Sequence, residues 1–286
     1  MAKILVPIDG SEIGNQALPW AKLLAEKGGF DLQLLRSYHP LASVYSYPDF
    51  ATPPPVAYDL SGFARHAKKH LEILSKEYNL DDPEMTVQEG ESAETILSRS
   101  ESDDVELVVM SSHGRTGLGR WLLGSTATKV LRGGCKPVLV VKAQEEQPEA
   151  KLERVLVPLD GSDLSEEAVP HALKLQKVLG CKVRLFRSVD FTPYPVADVQ
   201  KALEREMSEA ERYLESVKAK YPEVEFESEV RAVGVSKGIL DAAEDCDVIL
   251  MSAHGMSGFE RWLLGSVTEK VLNRSNKPVY IVCHKK

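Results

Sequence analysis

The chain states one pattern twice. Ile4-Leu5-Val6-Pro7-Ile8-Asp9-Gly10-Ser11 returns as Val155-Leu156-Val157-Pro158-Leu159-Asp160-Gly161-Ser162. Met110-Ser111-Ser112-His113-Gly114 returns as Met251-Ser252-Ala253-His254-Gly255. Arg-Trp-Leu-Leu-Gly-Ser follows each of these, at Arg120 to Ser125 and at Arg261 to Ser266. The order is the same in both halves. A repeat this long is no solenoid unit, so each copy is expected to close its own core. The expected division is residues 1–143, a linker at 144–151 rich in Gln, Glu and Pro, and residues 152–286.

Within each half, strand-like and helix-like segments alternate. A short apolar run ends in Asp-Gly-Ser. Residues at helical spacing follow it: Ala17, Leu18, Ala21, Leu23 and Leu24, or Ala168, His171, Ala172, Leu175, Val178 and Leu179. Each set predicts one helix. Second strands are expected at 32–37 and 183–188, polar amphipathic helices at 60–78 and 196–221, and third strands at 85–88 and 224–230. Short helices at 93–100 and 237–244 precede the most apolar strands, 105–110 and 248–251. Last come helices at 126–131 and 267–272, then strands at 137–141 and 278–282. Such alternation argues for βαβ units and a parallel sheet covered on both faces. The expected fold class is α/β, with two repeated doubly wound domains.

Composition removes several functions. A formal net charge of -8 argues against broad nucleic-acid binding and against adsorption to anionic membranes. No apolar run approaches the ~20 residues of a membrane helix. The four cysteines form no C-x-x-C pair and none is duplicated between halves, so reduced structural thiols are expected. With a strand opening the chain, no signal peptide is expected, and a cytoplasmic location follows. Walker-type, Rossmann and H-E-x-x-H motifs are missing from the sequence. His113 and His254 belong to no assignable Ser-His-Asp set, so no catalytic residue and no metal ligand is proposed from sequence. Trp121 and Trp262 read as core residues.

The chemistry points to the glycine segment. Ser111-x-x-Gly114 is followed by Gly124-Ser125, and Ser252-x-x-Gly255 by Gly265-Ser266, with nine residues between the glycines in both halves. The segment leaves the carboxyl end of the fourth strand. Gly124 and Gly265 stand directly before a helix, whose first N–H groups and dipole suit phosphate oxygens. Gly-Ser before a helix also reads simply as an N-cap. Asp9 and Asp160 end the first strand at the same sheet edge. A carboxylate there either accepts from a sugar hydroxyl or an amino group, or closes an Asx turn. The loop His39–Asp59, rich in proline, reads as a lid or as a surface loop.

This pattern resembles the universal stress protein family over nearly the whole chain, as a tandem of two domains. The family's Gly-x2-Gly-x9-Gly-Ser/Thr is matched in both halves except at its first position, together with Lys136-Pro137-Val138 and Lys277-Pro278-Val279. The resemblance implies a five-stranded parallel sheet of order 3-2-1-4-5 in each domain and, in one branch of the family, ATP across strands one and four. It would place adenine and ribose by Pro7, Asp9, Ser37, Met110 and Ser111, and phosphates by Gly114, Gly124, Ser125 and Thr126. In the second domain the same positions are Pro158, Asp160, Ser188, Met251 and Ser252, then Gly255, Gly265, Ser266 and Val267. The family's first glycine is Ser111 here and Ser252 in the second copy. A side chain at those two positions is strained if the backbone needs positive φ. Arg115 and Thr116 become Met256 and Ser257, so the first site is expected to hold anions more tightly.

The expected function is an ATP- or adenine-nucleotide-binding regulatory protein of the stress response, a switch without fast turnover. ATP, ADP or AMP is the expected cofactor, with Mg²⁺ as a companion ion. A slow ATPase or phosphotransfer enzyme and a scaffold that binds no nucleotide are the alternatives. The apolar last strands, Val138 to Val141 and Val279 to Val282, are edges that need covering. They are expected to pair within the chain as a pseudo-dimer; whether two chains join as a homodimer is left open.

Overall fold

The computed structural model describes residues 2–38, 60–112, 123–144, 149–190, 199–253 and 264–283. The first half runs β1 (Lys3–Pro7), α1 (Glu12–Asn15), α2 (Leu18–Gly28), β2 (Asp31–Tyr38), α3 (Leu60–Glu77), β3 (Glu84–Glu89), α4 (Ser92–Ser100), β4 (Val105–Ser111), α5 (Ser125–Gly133) and β5 (Val138–Val141). The second runs β6 (Arg154–Pro158), α6 (Asp163–Glu166), α7 (Ala168–Leu179), β7 (Lys182–Val189), α8 (Val199–Lys218), β8 (Phe226–Ala232), α9 (Val235–Ala242), β9 (Val248–Ser252), α10 (Ser266–Arg274) and β10 (Val279–Val282). Where one helix was expected after β1 and after β6, the structure has two. Ser11 and Ser162 cap a short first helix through their hydroxyls. Pro19 then opens α2, because its ring and missing N–H suit a helix start and not an interior.

All the described strands lie in one sheet, in the order β3-β2-β1-β4-β5-β10-β9-β6-β7-β8. Each half keeps the order 3-2-1-4-5 with parallel neighbours. The two expected sheets are therefore halves of one continuous sheet. They join where β5 meets β10 antiparallel, with Val140 opposite Val279, Leu139 opposite Tyr280 and Val138 opposite Ile281. Each of these side chains is at most 7% exposed, so the apolar edges cover one another.

Alternate residues of each strand face opposite layers. Ile4, Val6, Leu32 and Leu34 join one apolar cluster with residues of α2, α3, α7 and α8. Leu5, Leu35, Val108 and Val140 join the other, with residues of α4, α5, α9 and α10. Both clusters include residues of both halves, so each face of the core crosses the seam. Among the described residues no helix is long and apolar enough to cross a membrane. All four cysteines are free thiols.

A half-buried histidine sits by the seam. His171 Nδ1 lies 3.3 Å from the Tyr280 hydroxyl. Burial, with Lys174 adding to it, lowers the His171 pKa below its ordinary value of 6.5. The unfolded chain then takes up the proton more readily than the folded one. Stability is complete above about pH 6.5 and falls as pH drops through the folded value. His171→Phe is expected to flatten this acid-side loss in a series of melting curves from pH 7 to 5. An unchanged slope would assign the loss to other groups.

Candidate functional site

Strand register brings the repeated motifs to one edge. Pro7 pairs with Leu35 on β2, and Pro158 with Phe186 on β7. On the other side Leu5 pairs with Val108, and Leu156 with Ile249. Two residues further along these parallel strands, Pro7 is level with Met110 and Pro158 with Met251. The carboxyl ends of β1 and β4, and of β6 and β9, therefore open side by side. In an open α/β sheet this crevice is where ligands bind.

The turn after β1 has the same geometry in both halves. Asp9 Oδ1 accepts from the Ser11 N–H at 2.9 Å and from the Ser11 hydroxyl at 2.7 Å. Asp160 Oδ1 accepts from the Ser162 N–H at 3.0 Å and its hydroxyl at 2.6 Å. One oxygen of each aspartate thus closes an Asx turn, which fixes the carboxylate at the sheet edge. Gly10 and Gly161 have φ of +86° and +91°, a region that penalises any Cβ. A Cβ would also come within 2.6 Å of Arg36 Nη2 or 2.5 Å of Arg187 Nη1. Both guanidinium groups pack against this turn. The Arg187 guanidinium carbon also stacks 4.6 Å from the Tyr213 ring centroid.

The glycine segment is pinned at its neck. Gly124 N–H donates to Ser112 O at 2.8 Å, and Gly265 N–H to Ala253 O at 2.9 Å. These bonds hold the start of α5 and of α10 beside the end of β4 and of β9. Gly124 and Gly265 are the N-caps themselves, with negative φ and no side-chain cap. Ser125 and Ser266 are the first helical residues and are exposed. Ser111 and Ser252 end their strands, and neither has positive φ. The strain expected of serine at these positions does not arise. Ser111 Oγ is buried and has no hydrogen-bond partner among the described residues. Gly114, Arg115 and Gly255 lie outside the described residues, as do His113, His254, Trp121, Trp262 and the loop 39–59.

In the second domain these parts surround a cavity of about 400 Å³. Pro158, Asp160, Ser188, Met251, Ser252, Gly265, Ser266 and Val267 all line it. That is every residue placed there by the family pattern except Gly255. Leu159, Ser165 and Asp190 line it too, as do Phe186, Arg187, Val235, Ile239 and Thr268, which were not singled out from sequence. The signal for Arg187 was present: Arg36-Ser37 and Arg187-Ser188 stand one residue before the end of the second strand in both halves. Val235 and Ile239 supply an apolar wall from α9. In the first domain Pro7, Asp9, Ser37, Met110, Ser111, Gly124, Ser125 and Thr126 hold the matching places on β1, β2, β4 and α5. There the Ser37 and Ser92 hydroxyls bond at 2.8 Å, whereas Ser188 bonds the Val233 carbonyl.

Comparison with known proteins agrees with this layout. The model of the universal stress protein family matches residues 1–142 and again residues 151–282. A universal stress protein of Mycolicibacterium smegmatis is 29% identical over 287 residues, 98% of this chain and 96% of its own. One of Mycobacterium tuberculosis H37Rv is 26% identical over 292 residues, 97% of this chain and 95% of its own. A solved universal stress protein of Archaeoglobus fulgidus shares the fold, with a TM-score of 0.71 at 20% identity, covering 99% of this chain and 98% of that one. The repeated motifs, the 3-2-1-4-5 order kept in each half and the double family match lead to one conclusion: the chain belongs to the universal stress protein family, as two such domains in tandem.

Proposed function

We propose that the chain binds adenine nucleotides at the carboxyl edge of its sheet. Occupancy, rather than fast turnover, then biases its shape or its choice of partner. The observation that carries this reading is the second-domain cavity. It has the size of small-molecule sites, roughly 300–1,000 Å³, and it takes a wall from every motif of the repeat. Ile239, Val235 and Met251 offer an apolar bed for a purine. Asp160 and Ser252 stand where sugar hydroxyls and an amino group need acceptors. The N–H groups at Ser266 and Val267 open α10 and suit phosphate oxygens, and Arg187 supplies a cation on the same wall.

The first domain reads the same way. Asp9, Ser37, Met110 and Ser111 flank the base and sugar, and the Ser111 hydroxyl is available for a ribose bond. Gly124, Ser125 and Thr126 meet phosphates, with Gly114 and Arg115 completing that role by family pattern. Mg²⁺ enters with ATP. Among the described residues no group of three His, Cys, Asp or Glu side chains could hold a metal, so phosphates would be its main ligands.

Calorimetric titration with ATP, ADP and AMP tests this. Binding of at least one adenine nucleotide per chain is expected, with ADP production from ATP far slower than binding. No binding by any of the three contradicts the reading. Steady ADP production abolished by Asp9→Ala and Asp160→Ala together would move the assignment from a switch to an enzyme.

A further inference from the structure

Helix α10 belongs to the second domain at one end and to the first at the other. Ser266, its first residue, lines the second-domain cavity. In its last turn, Asn273 Oδ1 accepts a hydrogen bond from the Leu123 N–H at 3.0 Å. Leu123 directly precedes Gly124, the cap from which α5 starts in the first-domain site. Leu272 O accepts from Lys142 Nζ at 2.7 Å, and just beyond the helix Asn276 O accepts from Gln144 Nε2 at 2.9 Å. Lys142 is only 5% exposed. Two first-domain donors and one from the start of the linker thus close on the end of one second-domain helix.

The repeat does not return this arrangement. With Gly124 aligned on Gly265, the counterpart of Asn273 is Arg132, that of Lys142 is Cys283, and that of Leu123 is Leu264. A guanidinium has no acceptor, so Arg132 cannot receive the Leu264 N–H as Asn273 receives that of Leu123. Cys283 has neither the reach nor the charge of Lys142. Among the described residues the second-domain helix start is held by its own domain, whereas the first-domain helix start is held by its neighbour as well.

We infer that Asn273 of the second domain is a positioning residue for the first-domain site, because its side chain fixes the backbone that enters the phosphate-facing start of α5. An amide left without that acceptor is free to turn toward water. The Leu123-Gly124 backbone would then lose the orientation in which the α5 N–H groups converge. The two sites are unequal by construction, since among the described residues only the first is completed across the seam. This inference rests on the nucleotide reading above.

The test uses the full chain and ATP in calorimetric titration. Ser266→Glu silences the second site so that the first is read alone, and Ser125→Glu does the converse. With the second site silenced, Asn273→Ala is expected to weaken the first by about tenfold. Asn273→Asp keeps the acceptor and should restore affinity to within about twofold. With the first site silenced, Asn273→Ala should leave the second within about twofold, although residue 273 lies in that domain. Equal loss at both sites marks general destabilisation and overturns the inference, as does failure of Asn273→Asp to rescue. Tight first-site binding indifferent to residue 273 overturns this inference alone. Absence of ATP binding at both sites overturns it together with the nucleotide reading.

Discussion

Ser266→Glu is expected to weaken ATP binding in the second domain by about 100-fold or more, with thermal stability equal to wild type or slightly above it. The two effects separate because they act on different partners. Ser266 is the exposed first residue of α10, where a carboxylate meets the positive end of the helix dipole. Such a placement is worth roughly 0.3–1 kcal/mol in favour of folding. The same carboxylate faces the phosphates that this helix start is proposed to hold. Two unit charges 4 Å apart repel by about 4 kcal/mol at the effective dielectric of a protein surface. That is well beyond the 1.4 kcal/mol of a tenfold change. Ser266→Gln controls for size and should lose little. Titration calorimetry reads the affinity and a melting curve reads the fold. Undiminished binding by a folded Ser266→Glu chain would remove α10 from the site.

The second large effect concerns the seam. Ile281→Asp is expected to cost about 4 kcal/mol or more and to lower the unfolding temperature of both domains. Ile281 is fully buried on β10 and lies opposite Val138 of β5. A carboxylate there has neither solvent nor partner, the class of substitution with the largest penalties. Losing the seam would also strip cover from β5, although every residue of β5 is unchanged. Differential scanning calorimetry should therefore show the first domain melting earlier too. A first-domain transition that stays at its wild-type temperature would mean that the halves are stable independently and merely touch.

Much of this architecture could be read from the chain before any coordinates. The Pro7-Ile8-Asp9 and Pro158-Leu159-Asp160 repeats marked the strand ends, the alternating periods gave the parallel α/β class, and the resemblance to the family implied the order 3-2-1-4-5. Strand ends agree to within a residue or two, as Val105 to Ser111 shows against the expected 105–110. What escaped had physical reasons. Apolar spacing begins at Ala17, so it could not show the short capped helix Glu12–Asn15 that precedes α2. Arg187 alternates within β7 like any strand residue, and only three-dimensional packing turns it onto Gly161. Val235 and Ile239 look like ordinary core positions of a short helix until α9 is seen facing the cavity. The bond from Leu123 to Asn273 joins residues 150 apart in the chain. Nothing in the repeat marks it, because Asn273 and Arg132 are among the positions at which the halves differ.

A glycine at positions 111 and 252 would matter to the fold only if the backbone there needed positive φ. Both serines instead end strands in extended conformation, where a Cβ carries no backbone penalty. Any cost of the serines must come from crowding a ligand. Ser111→Gly should therefore leave stability unchanged within about 1 kcal/mol, the usual penalty of glycine in a strand, while altering nucleotide affinity. A melting curve and a titration on the same sample read both quantities.

Mass spectrometry of the small molecules released when freshly purified chain is denatured reaches the central claim most directly. The account predicts an adenine nucleotide at one or two equivalents per chain, reduced by Ser266→Glu and removed by Ser125→Glu and Ser266→Glu together. A chain that releases none, and that takes up none when soaked in millimolar ATP before denaturation, would contradict it.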